Sequence, residues 1–111
     1  MAPPERTIRA VDVGSPQFRK CFKRIRDPRM QRQIADALKS LYGINLDAIP
    51  KRLHLHPLTN KLVPSVLDPH KKVPAWSFHV IPGTHKASFT LENGTAYMRV
   101  LASHAEVDKN P

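Results

Sequence analysis

The chain is 111 residues long, enough for one domain with a single modest core and too short for two. Its net charge of +9 favours a polyanionic partner, nucleic acid before an acidic protein, and its single cysteine excludes an internal disulfide framework and a cysteine-based zinc knuckle. No apolar run reaches the roughly eighteen residues of a membrane span, and Met1-Ala2-Pro3-Pro4-Glu5-Arg6 lacks the apolar centre of a secretory leader, so we expect a cytoplasmic protein with no membrane partner.

In chain order, residues 1–6 are expected to be mobile, and Thr7 to Val13 then alternate with the period of a strand. Gly14-Ser15-Pro16 ends that strand and starts a helix, with Ser15 as N-cap and Pro16 at the first helical position. Phe18, Cys21, Phe22 and Ile25 follow at i, i+3, i+4 and i+7, the apolar stripe of a short helix, which makes Cys21 a core residue. Asp27-Pro28 repeats the start signal, and Met30, Ile34, Ala37, Leu38 and Leu41 stripe a second helix that Gly43 can terminate. The short connection makes the two helices an antiparallel hairpin. From Ile44 to Pro74, five prolines block regular structure, and we expect an extended segment lying over the body, anchored by Leu53, Leu55 and Leu58.

Ala75 to His104 reads as three antiparallel strands. Asn93-Gly94 favours a two-residue type I′ hairpin because both residues tolerate positive φ. That turn pairs Glu92 with Thr95, placing Leu91 opposite Ala96, Phe89 opposite Met98 and Ala87 opposite Val100 on one apolar face. Thr90 then faces Tyr97, and Ser88 faces Arg99, on the other side. Taking Pro82-Gly83 as the preceding turn, Val80 faces His85, Phe78 faces Ala87, Trp76 faces Phe89, and His79 comes opposite Lys86 on the polar face. Pro-Gly suits a type II turn, which leaves room for a bulge there. A polar tail, residues 105–111, is expected to be mobile. The helical hairpin should bury its stripe on the apolar sheet face, giving a single two-layer α+β domain of order β-α-α-β-β-β.

The front pattern SPQFRKCFKRIRDPRMQRQIADALKSL, the LHLHPL segment and the block WSFHVIPGTHKASFTLENGTAYMRVLASH together resemble the RelE/ParE superfamily of type II toxin–antitoxin modules, in particular its HigB-like and RelE-like ribonuclease branch. The resemblance spans roughly Ile8 to Asp108. It implies a RelE-like fold, ribosome-dependent cleavage of messenger RNA without a metal or other cofactor, and neutralisation by a cognate antitoxin. Residue by residue, it implies that His79 and Lys86 hold basic positions of the family's site and that His104 falls where the family's C-terminal catalytic arginine or histidine lies.

Metal-free RNA cleavage proceeds by attack of the 2′-hydroxyl on the adjacent phosphate, and it needs a base, an acid for the leaving 5′-oxygen and cations for the phosphorane. Histidine titrates nearest neutrality and suits the first two roles. Lys86 and Arg99, on the face of His79, suit the third. The expected catalytic set is therefore His79, Lys86, His104 and Arg99. The parity of His104 with Met98 requires a bulge, or the strand's end, to turn it to that face. His54 and His56 alternate and point the same way if that segment is extended, so one can reach the site. Arg19, Lys20, Lys23, Arg24, Arg26, Arg29 and Arg32 form the densest basic run, suited to RNA or ribosomal phosphates. No helical His-x-x-x-His pair or cysteine partner points to a metal. Two other readings stay open: a ParE-like inhibitor of DNA gyrase, which does not need His79, Lys86 and His104 to converge, and a non-catalytic RNA-binding domain, which would call for more stacking aromatics than Tyr97.

Overall fold

The computed structural model describes residues 6–111, and the expected mobility of residues 1–5 lies outside the described residues. The described chain is α+β, with a five-stranded sheet in the order β1-β5-β4-β3-β2. The strands are β1 (Ala10–Asp12), β2 (His56–Pro64), β3 (Lys72–Ile81), β4 (His85–Glu92) and β5 (Thr95–Ser103). The helices are α1 (Pro16–Arg24), α2 (Pro28–Lys39) and α3 (His104–Lys109), and a 3₁₀ turn spans Lys51–Leu53.

Both helix starts follow the capping chemistry in the sequence. The Ser15 hydroxyl accepts from the Phe18 N–H at 3.4 Å and the Asp27 carboxylate from the Arg29 N–H at 2.9 Å, each cap followed by a proline that has no N–H to orphan. Phe18, Ile34 and Leu41 are buried against the sheet, with Cys21, Phe22, Ile25, Met30, Ala37 and Leu38 packed at the margin. Opposite them lie Trp76 and Phe78 of β3, Ala87 and Phe89 of β4, and Ala96, Met98 and Leu101 of β5. Phe78 and Phe89 meet edge to face at 5.9 Å.

The expected first strand splits in two. The backbone of Arg6 and Ile8 bonds to Gly43, Ile44 and Leu46, and only Ala10–Asp12 joins the sheet, parallel to β5. Arg6 is also tied by its side chain, which pairs with Asp47 at 3.4 Å and lies 5.2 Å above the Trp76 ring, so it is not part of a mobile end.

The Asn93-Gly94 turn and the pairs Glu92–Thr95, Leu91–Ala96, Thr90–Tyr97 and Phe89–Met98 are as expected, with φ of 52° and 80° at the two turn residues. So are Trp76–Phe89, Phe78–Ala87 and His79–Lys86. Two bulges alter the rest. Ile81 rather than Val80 pairs with His85, after a turn in which Thr84 N–H donates to Ile81 O and Gly83 has φ of 80°. Between Ala87 and Phe89 the register with β5 slips by one residue, so Ala87 faces Leu101 rather than Val100, and Lys86 faces Ala102. Ser88 does not sit in a regular pair with Arg99; its Oγ accepts from the Val100 N–H at 3.2 Å.

Two further expectations are corrected. The proline-rich segment contains a strand, so the sheet gains β2 before the three-stranded meander. Prolines are tolerated there because β2 is an edge strand and because Pro74 of β3 precedes the stretch paired with β4, leaving its missing N–H on an open side. The edge is interrupted by a register shift between Pro57 and Leu62, which blunts it against pairing with another chain. The C-terminal tail, rather than being mobile, forms α3, which packs on β4 and β5 and buries Val107 completely. Among the described residues no helix is long and apolar enough to cross a membrane.

Candidate functional site

The bulge in β5 supplies the change of parity that His104 needs. With one extra residue between Met98 and Leu101, Ala102 comes opposite Lys86, and His104, two residues on, falls on the side of Lys86 and His79. At the other end of the site, the 3₁₀ turn ends at His54 in the left-handed conformation, with φ of 49°. That residue breaks the alternation expected of His54 and His56. His54 turns onto His79, while His56 opens β2 opposite Ser77.

The result is a column of three imidazoles. His54 stacks on His79 with ring centroids 4.3 Å apart and planes 13° apart, and His79 stacks on His104 at 4.6 Å and 29°. His54 is exposed and the other two are half-buried. The His79 pKa is held below its ordinary 6.5, first by burial and then by the charges of His54, His104, Lys86 and His56 around it. Both effects favour the neutral ring of His79. The Nε2 of His104 is buried with no hydrogen-bond partner among the described residues. No group of three His, Cys, Asp or Glu among the described residues is arranged to hold a metal.

Lys86 faces His79 across the β3–β4 ladder, with only 9% of its side chain exposed. Its Nζ donates to both carboxylate oxygens of Asp108 on α3, at 3.0 and 3.3 Å. The paired carboxylate offsets the cost of taking a side chain this far out of water. Neither Asp108 nor α3 was expected from the apolar periodicity, because the helix is short and buries one apolar side chain. Its signal lay in Ser103-His104-Ala105-Glu106, the spacing of a capping box, and the Ser103 hydroxyl does accept from the Glu106 N–H at 3.4 Å.

Arg99 stands apart from this group. Its Nε donates to the Pro111 carbonyl at 3.4 Å, and its pKa is lowered by burial and partly restored by the charge of Glu92. The slip in register that swings His104 inward breaks the regular Ser88–Arg99 pairing. Glu92 is itself a junction, accepting from the Ser65 hydroxyl, the Val66 N–H at 2.9 Å and the Thr90 hydroxyl at 3.0 Å. Burial would raise its pKa, but these donors outweigh burial and leave it lowered. The sheet face expected to be polar is so, and it is partly closed: Ser77, Ser88 and Thr90 are fully buried.

Arg19, Lys20, Lys23, Arg24, Arg26, Arg29 and Arg32 are all exposed along α1, α2 and the link between them, as the helical spacing implied. Comparison with family models, curated proteins and solved structures gives no match for this chain.

Proposed function

We propose that this chain is a RelE-like toxin of a type II toxin–antitoxin pair, a ribosome-dependent, metal-independent endoribonuclease that cuts messenger RNA by 2′-hydroxyl attack. The observation that carries this reading is the histidine column with Lys86 beside it, since it collects the groups such a cleavage needs. His79, its pKa lowered first by burial and then by the charges around it, takes the proton of the 2′-hydroxyl. His104, stacked beside it, returns a proton to the leaving 5′-oxygen. Lys86 stabilises the phosphorane, and the carboxylate it already holds stands in for the phosphate oxygen that would displace it. In this reading the exposed basic helix faces carry the ribosome, and a cognate antitoxin and messenger RNA are the other partners.

The deciding experiment is cleavage of ribosome-bound message by wild type, His79→Ala and His104→Ala, scored together with growth arrest. Loss of one acid or base should cost about a hundredfold to ten-thousandfold in rate. A message carrying a single 2′-deoxyribose at the cut position should resist cleavage there. Variants that still arrest growth while gyrase rather than message proves to be the target would replace this reading with a ParE-like one.

A further inference from the structure

The strand ends that bear the histidine column also form the wall of a cleft of about 550 Å³ between α1, β5 and α3. Ala102, paired with Lys86 across the β4–β5 ladder, and Ser103, the residue before His104, both line the cleft, so it abuts the candidate site. Its apolar lining comes from Cys21 of α1, Ile25 just after that helix, and Val100 and Leu101 of β5. Its rim carries two cations, Lys20 and Arg24, which belong to the exposed basic face of α1. Glu106 of α3 also lines the cleft and supplies a carboxylate acceptor.

We infer that this cleft is a nucleotide subsite, holding the RNA residue next to the one at the histidine column. The inference rests on the proposal that the chain acts on RNA. Three features fit that occupant. The volume lies within the range of pockets for ligands of nucleotide size. Lys20 and Arg24 suit a backbone phosphate, and Arg24 can do so through two parallel N–H donors. An apolar lining suits the faces of a base and ribose, while the Glu106 carboxylate can accept from an exocyclic amine, as acidic side chains do from cytosine. A strand of RNA lying on the basic face of α1 would cross this cleft before it reached His104.

Cys21 is the only thiol in the chain and lies in the cleft, partly exposed, which makes it a reporter independent of cleavage. The experiment measures the rate at which iodoacetamide alkylates Cys21 in the full chain, with and without a mixed-sequence RNA oligonucleotide whose riboses are 2′-O-methylated and cannot be cut. With oligonucleotide at ten times its dissociation constant, alkylation should slow about tenfold. Lys20→Glu combined with Arg24→Glu should remove the protection, whereas Lys39→Glu, equal in charge change per site but outside the cleft, should retain it. Protection without any message cleavage by wild type would keep the subsite and sink the ribonuclease proposal. Cleavage with unprotected Cys21 would overturn the subsite alone. Protection by polyglutamate but not by RNA would also overturn it, marking the cleft as a place for an acidic protein segment.

Discussion

With an imidazole stacked on each side and Lys86 across the ladder, His79 meets positive charge whenever any neighbour is protonated. Its depressed pKa has two measurable consequences. As the general base, it should place the acid limb of the cleavage rate below pH 6.5, and a limb above that value would exclude it from the role. For stability the sign follows from proton counting: the unfolded chain binds the proton more readily than the fold does. The contribution is therefore fully present above 6.5 and is lost as pH falls from 6.5 toward the depressed folded value. Thermal midpoints of wild type and His79→Gln should accordingly converge or cross on acidification through that window, and a difference that stayed flat would contradict the electrostatic account. Lys86→Ala tests the cation, and by analogy with removal of one charge-stabilising donor it should lower cleavage by about a hundredfold to a thousandfold.

Among the elements, the β3–β4–β5 meander carries the core and α3 closes the opposite side of the sheet. Phe89 is fully buried, with Met98 paired to it and Phe78 edge-on, so Phe89→Ala should cost about 3–5 kcal/mol, read from the urea midpoint. A loss that size would leave little of a typical domain's stability. The third helix differs, because it buries only Val107 among its described residues and is otherwise tied by the Lys86–Asp108 pair and a Lys61 Nζ bond to the Lys109 carbonyl at 3.3 Å. Val107→Asp should free α3 while the meander stays folded, exposing Lys86 and speeding amide exchange from His104 to Lys109. If exchange in β4 and β5 accelerated equally, α3 would be part of the same cooperative unit rather than a separable cover.

Over the whole molecule, the dominant quantity is the charge of +9, concentrated on the exposed faces of α1 and α2. Phosphate contacts release counterions, so affinity for ribosomes should fall steeply with salt. Reversing Arg19, Lys23 and Arg26 to Glu should weaken binding and flatten that salt slope with the fold intact, because all three side chains face solvent. Ribosome affinity unchanged in the triple variant would move the contact to another surface.

Local chemistry in the sequence was enough for the two capped helices, the Asn-Gly hairpin and most of the register from Trp76 to Met98, because each depends on residues near one another in the chain. It was also enough to place His79 opposite Lys86. The histidine column was only partly visible, since His104 reaches it through a one-residue bulge and His54 through a left-handed turn. Neither feature has a dedicated residue such as glycine to announce it. Apolar periodicity likewise could not identify β2, where prolines occupy an edge that tolerates missing donors, or α3, which is too short to show a stripe. The Lys86–Asp108 pair joins residues 22 positions apart, and their meeting depends on α3 folding back over β4, a contact chosen by packing rather than by any local preference.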